Sequence, residues 1–211
     1  MNSLIELVEN LKKDPISRTI SMRMSEFSEL GKKSSSEIFK ELCFCLLTAN
    51  FSAVGGIKIQ KEINDGFSYF SEEELARKLS ELGHRFPNAR ANFIVLARPH
   101  KDNIKEILLE INDELKMREW LVKNIKGLGM KEASHFLRNI GYKNLAILDF
   151  HIVDILVNHN IIERPKNKSL SSKKYVEIEE ILKKIAIATN TNLGELDLYL
   201  LSKGDVKKVL K

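Results

Sequence analysis

The chain has 211 residues, 43% of them hydrophobic and 30% charged, the balance of a globular protein holding one ordinary domain or two small ones that share a cleft. No run approaches the roughly 18 apolar residues that span a bilayer. The opening Met1-Asn2-Ser3-Leu4-Ile5-Glu6 lacks the basic-then-apolar order of a secretory signal, so an intracellular protein without a membrane partner is expected. A net charge of +5, from 34 basic and 29 acidic residues, suits an anionic partner such as a nucleic-acid backbone and equally suits a lysine-rich solvated surface.

In chain order, strand alternation is nearly absent and apolar residues recur at helical spacing. Leu4, Val8 and Leu11 mark a first helix. Ser34 with Glu37, and Ser71 with Glu74, have the Ser-x-x-Glu form of a capping box, in which the two side chains satisfy each other's orphan amides. The helices they open carry Ile38, Leu42 and Leu46, then Leu75, Leu79 and Leu82. Cys43 and Cys45 lie inside the first of these. Two thiols cannot complete a structural zinc site, and a bridge between positions so close is strained, so both are expected as buried free thiols. Ala53-Val54-Gly55-Gly56 predicts a break after that helix. A helix over 91–98 stops at Pro99, and Ile104, Leu108, Ile111 and Leu115 mark another. Later come a polar connector over 165–172, a helix carrying Ile178, Ile181, Leu182 and Ile185, and a tail set off by Gly204-Asp205 and ending at Lys211. No repeat or low-complexity block appears, and the expected class is all-α.

The segment 120–157 carries the chemistry. Trp120, Leu121, Val122 and Ile125 finish a helix; Gly127 and Gly129 permit positive φ and a close approach of backbone to another molecule. Met130, Ala133, Phe136, Leu137 and Ile140 form the apolar stripe of a second helix, with Gly141 where a left-handed C-terminal cap is expected. This is a helix-hairpin-helix over about 120–141, and the hairpin amides with the helix N-terminus make an anion site. Gly-x-Gly alone describes a plain αα-hairpin. Lys131 adds something else, because the first turn of a helix is the wrong end for a cation, by about 0.3–1 kcal/mol. An ordinary lysine, with a pKa near ~10.4, is protonated and a poor nucleophile at neutral pH. The helix dipole and partial desolvation both favour the free amine that nucleophilic chemistry needs. The alternative is a lysine that contacts phosphate.

Asp149 stands eighteen positions after Lys131. Ten helical residues to Gly141 travel about 15 Å, and the next eight can reach about 26 Å if extended, enough for a return. Phe150-His151-Ile152-Val153 opens a helical pattern, which makes Asp149 an N-cap candidate. A capping carboxylate stays ionised, so capping is compatible with a role beside Lys131.

The string from Lys126 through Gly127-Leu128-Gly129-Met130-Lys131 to Gly141, followed by Ala146-Ile147-Leu148-Asp149-Phe150-His151-Ile152, resembles the helix-hairpin-helix DNA glycosylases. Specifically, it is similar to the archaeal-type 8-oxoguanine DNA glycosylase/AP lyases. Leu46-Leu47-Thr48-Ala49-Asn50-Phe51-Ser52-Ala53 and Arg85-Phe86-Pro87-Asn88-Ala89-Arg90-Ala91 are also similar to landmarks of that family. The resemblance covers nearly the whole chain. It implies that Lys131 attacks C1′ of the damaged nucleoside, expels the base and forms a Schiff base, with Asp149 deprotonating Lys131 or stabilising the sugar cation. Beta-elimination then nicks the strand 3′ to the site. It implies too that Lys211 helps distinguish 8-oxoguanine from guanine, and that the base is flipped from the duplex first. Two positions depart from the pattern: Phe150 stands where an arginine is expected, and Leu201-Ser202 where an aromatic is expected. Both cysteines precede Asp149, which excludes the iron–sulfur branch of the superfamily.

Further candidates are weaker. Phe86 is a candidate to stack on a flipped base or wedge into the duplex, or else an ordinary loop–helix packing residue. Arg85 and Arg90 are candidate phosphate contacts or solvated charges. His135, one turn beyond Lys131 on the same face, is a candidate pocket residue, with packing or DNA contact as the alternatives. The expected protein is thus an all-α, two-lobed enzyme with residues 1–55 and 150–211 in one lobe, 56–149 in the other, and the active site in the cleft between them. It would act as a monomer on double-stranded DNA containing 8-oxoguanine, in the cytoplasm or nucleoid of a prokaryote, without cofactor or metal. A glycosylase of the same mechanism for another damaged base, and a non-enzymatic DNA-binding module, are the alternatives.

Overall fold

The computed structural model describes residues 1–167, 169–203 and 209, and every regular element among them is helical. Helices α1 (Asn2–Lys13) and α2 (Ile16–Gly31) come first, then α3 (Ser35–Thr48), α4 (Ala53–Ile63), the single turn α5 (Gly66–Tyr69) and α6 (Glu72–Glu81). Next are α7 (Pro87–Ala97), which tightens into a 3-10 turn at Arg98–His100, α8 (Ile104–Ile111) and α9 (Glu114–Asn124). The last four are α10 (Met130–Asn139), α11 (Phe150–Asn158), α12 (Ser172–Ala188) and α13 (Leu193–Ser202).

Local chemistry accounts for most boundaries. Ser34 and Ser71 cap α3 and α6 by accepting from the Glu37 and Glu74 amides, at 3.4 and 3.1 Å. The reciprocal two-way box, however, forms at Asn192 and Glu195. The expected break at Ala53-Val54-Gly55-Gly56 falls three or four residues earlier, at Asn50, whose φ is +62°. Ser52 then caps α4, and both glycines sit in its first turns, where Gly56 lies against Thr48 and Phe44. The apolar series from Ile104 to Leu115 belongs to two helices, because Asn112 turns left-handed and Asp113 caps α9.

Two apolar cores result. One gathers side chains from Ile38 to Leu145, the other gathers α1 and α2 with residues from Ala146 onward. The chain therefore crosses between cores after α2 and again after α10, and the first crossing lies between Phe27 and Ile38 rather than at residue 55. Helix α3 explains the difference. Leu42, Cys43, Phe44, Cys45, Leu46 and Leu47 are all fully buried, the signature of a central core helix with no solvent face. The two cysteines are free, as expected.

Helix α10 is the wall the two cores share. Ala133, Phe136 and Leu137 face the first, while Met130 packs on the second. Its buried Arg138 donates to Asp197 of α13 at 2.8 Å and to Asn139 at 3.0 Å, and Asn139 donates to Glu41 of α3 at 2.7 Å. The end of α10 is equally constrained. Gly141 adopts φ +98°, and the Gly141 and Tyr142 amides donate to Arg138 and Leu137 carbonyls, both at 3.0 Å, as a Schellman cap. Helix α2 crosses this cap so closely that a Cβ at Gly31 would overlap the Ile140 carbonyl oxygen. Gly31→Ala is accordingly expected to lower the unfolding free energy by about 1–3 kcal/mol through overpacking, read as a lower urea midpoint with an unchanged slope; an unchanged midpoint would contradict this crossing.

Candidate active site

The hairpin between α9 and α10 is built on one aromatic plate. Gly127 turns left-handed at φ +96°, and a side chain there would run into Phe93 of α7. Lys126 lies over the same ring, 5.8 Å from its centre. The Leu128 amide closes the turn onto the Ile125 carbonyl at 3.2 Å. Gly129 differs from the expectation of positive φ: it is the extended, exposed N-cap of α10, at φ −95°. What a glycine supplies there is open access to the helix N-terminus, with only Glu132 beside it.

Lys131 occupies the first turn of α10, partly exposed, with its amine 3.6 Å from a Glu132 carboxylate oxygen. The Glu132 charge relieves the lysine's unfavourable position at the positive end of the helix dipole. Asp149 caps α11, its Oδ1 accepting from the Ile152 amide at 2.9 Å, and it too is partly exposed. Sequence reasoning missed a third charged residue, which the charges of both reach. Asp197, on α13, is buried, and burial pushes its carboxyl up to about 7; Arg138 opposes that rise, Asp149 adds to it, and Lys131 opposes it. Asp197 thus feels the charge of both. The hint in the sequence was an acid set among Leu193, Leu196, Leu198 and Leu200.

The Arg85–Phe86 corner sits at the start of α7. Phe86 is 43% exposed, free to meet a ligand, and the exposed Arg85 guanidinium lies 5.4 Å from the centre of its ring. Buried His84 holds this corner in place. Its Nδ1 accepts from the Phe86 amide at 3.1 Å and its Nε2 faces the Leu47 carbonyl at 2.9 Å, a pattern that requires the neutral ring with the proton on Nε2. Arg90 is not a surface charge. It is buried, and its Nη2 donates to the Ala49 carbonyl at 2.6 Å, tying α7 to the end of α3. His135 likewise turns inward, edge-on to Phe44 with ring centres 5.9 Å apart. Lys211 lies outside the described residues. Ser202 is buried, donating to the Tyr199 carbonyl at 2.9 Å, and Leu201 is partly buried. Phe150, next to Asp149, is 54% exposed. Among the described residues, no group of three or more His, Cys, Asp or Glu side chains is placed to hold a metal ion, and no helix is long and apolar enough to cross a membrane.

Burial lowers the His84 pKa below 6.5, an effect that Arg90 reinforces and the Leu47 carbonyl opposes. The folded chain thus binds fewer protons here than the unfolded one between 6.5 and the lowered value. The stability this neutral ring contributes is complete above pH 6.5 and is lost as pH falls through that window. His84→Ala should therefore flatten the fall in unfolding free energy as pH drops below 6.5; equal slopes in the two proteins would contradict the assignment.

This arrangement has close counterparts. A family model described as 8-oxoguanine DNA glycosylase matches residues 20–191. A protein of Korarchaeum cryptofilum named 8-oxoguanine DNA glycosylase/AP lyase is 54% identical over 200 residues, covering 95% of this chain and 94% of that one. The crystal structure of the Methanocaldococcus jannaschii 8-oxoguanine glycosylase/lyase, in complex with a 15mer DNA containing 8-oxoguanine, matches with a TM-score of 0.94 and 52% identity, over 99% of this chain and 100% of that one. The 8-oxoguanine DNA glycosylase of Thermotoga maritima matches with a TM-score of 0.89 and 45% identity, over 96% of each chain. The chain belongs to the 8-oxoguanine DNA glycosylase family.

Proposed function

We propose that this protein excises 8-oxoguanine from double-stranded DNA and nicks the strand at the resulting site, with Lys131 as nucleophile and Asp149 as its partner. The observation that supports the residue assignment is the placement of these two side chains at helix N-termini, a lysine in the first turn of α10 and a capping carboxylate at the start of α11. In this reading the exposed turn at Gly127 and Gly129 takes a DNA phosphate, aided by the dipole of α10. The damaged nucleotide leaves the stack, and exposed Phe86, with Arg85 beside it, offers a ring against DNA.

Lys131 first leaves Glu132 and gives up a proton toward Asp149. Its free amine then attacks C1′, and the bond to the base breaks, the base leaving with the electron pair and taking up a proton. Opening of the sugar ring gives an iminium between Lys131 and C1′. Loss of a C2′ proton expels the 3′ phosphate, which is the strand break; water then frees the lysine. Once that proton has passed on to the departing base, the Asp149 carboxylate stabilises positive charge on the sugar. Lys211 is retained as a candidate for telling 8-oxoguanine from guanine. A chromosomal DNA substrate places the protein inside the cell.

Borohydride reduction of the iminium on an 8-oxoguanine duplex tests the nucleophile. The wild type should yield a covalent protein–DNA adduct and Lys131→Gln none, with duplex binding retained. Asp149→Asn should slow base excision by about 10²–10⁴-fold, the usual range for loss of a positioned acid–base group. An adduct that survives Lys131→Gln would move the nucleophile elsewhere.

A further inference from the structure

The four residues before Asp149 form no helix or strand, yet Leu145, Ala146, Ile147 and Leu148 are all buried. Buried backbone polar groups outside regular structure have to find partners, and here they find them on one helix. The Glu179 carboxylate accepts from the Ala146 amide at 2.8 Å. The Tyr175 hydroxyl donates to the Ala146 carbonyl at 2.7 Å and accepts from the Leu148 amide at 3.2 Å. Both side chains come from the same face of α12, one turn apart.

The same two side chains also reach the helices of the hairpin. Arg118 of α9 pairs with Glu179 through two hydrogen bonds of 2.7 and 2.8 Å, with both side chains almost wholly out of water. Ser134 of α10 lies 3.3 Å from the Arg118 guanidinium and 3.5 Å from the Tyr175 hydroxyl. Ser134 is three residues beyond Lys131, roughly 4.5 Å along the helix axis. One buried cluster thus grips α10 just behind Lys131 and the backbone just ahead of Asp149. Burial also pushes the Tyr175 hydroxyl well above its ordinary value, so it remains a proton donor to Ala146.

We propose that Tyr175 and Glu179 are positioning residues that set the separation between the Lys131 amine and the Asp149 carboxylate. This rests on the reading of those two as the catalytic pair. Both positioning residues are buried. Their effect passes through Asp149, because they hold the backbone of Ala146 and Leu148 that leads into it. Reactions that depend on a near-attack arrangement lose about 10²-fold for a misplacement of about 1 Å, so a hydroxyl remote from the substrate has leverage on the rate.

The test is a double-mutant cycle in single-turnover excision of 8-oxoguanine, at saturating enzyme and well below the melting temperature of each variant. Tyr175→Phe should slow excision by about 10–100-fold, with affinity for an uncleavable duplex unchanged within about twofold. In an Asp149→Asn background the same change should cost less than about threefold, because the residue it acts through is already gone. Glu179→Gln should repeat the pattern, so the result does not depend on one variant. A wild-type rate for Tyr175→Phe, or an equal loss in both backgrounds, would overturn the positioning role while leaving the catalytic pair intact. A wild-type rate for Asp149→Asn alone would instead overturn the pair itself.

Discussion

Glu179 sets the central constraint. A carboxylate with essentially no contact with water has to be neutralised and hydrogen-bonded, or its desolvation is prohibitive. Arg118 supplies the charge and Ala146 an amide. These partners come from α9 and from the segment leading to Asp149, so satisfying one buried acid aligns the hairpin with the second helix N-terminus of the site. The Arg138–Asp197 pair does the same one turn further along α10, reaching α13 and, through Asn139, α3. Pairs of this kind contribute little net stability relative to apolar substitutes, but removing one partner is strongly destabilising. They fix arrangement more than they add energy, and the arrangement they fix is that of α10.

The proposed reaction needs an amine and a carboxylate, and two helix N-termini carry them here. The fold meets that need with two cores that share a wall. Because the chain crosses between the cores after α2 and again after α10, Asp149 follows directly on the second crossing. The Gly141 cap makes the reversal possible, and the close crossing of α2 over Ile140 leaves that cap little room to shift.

Much of this was legible in the residues, and the reasons are local. Gly127 and Gly141 announced left-handed turns, Asp149 announced a cap, and the apolar stripes gave the helices around them. What escaped depended on partners far away in sequence. Asn112 ended a helix by turning left-handed in a run whose apolar spacing continued straight through it. Helix α3 joined the other core because its C-terminal half is apolar on every face, which says that it is buried and not in which core. Arg90 looked like a phosphate contact or a surface charge, and His135 like a pocket, packing or DNA-contact residue, until the α3–α7 and α3–α10 contacts enclosed them. Glu179, Arg138 and Asp197 did leave a trace, each a charge set within an apolar stripe. That pattern marks a buried ion pair but not its partner.

Mapping the site of covalent attachment tests the central claim most directly. The protein is reacted with an 8-oxoguanine duplex under borohydride, digested with nuclease and protease, and the peptide carrying the sugar remnant is sequenced by mass spectrometry. The account predicts a single modified residue, Lys131. A remnant on any other lysine, or on the N-terminal amine, would contradict it.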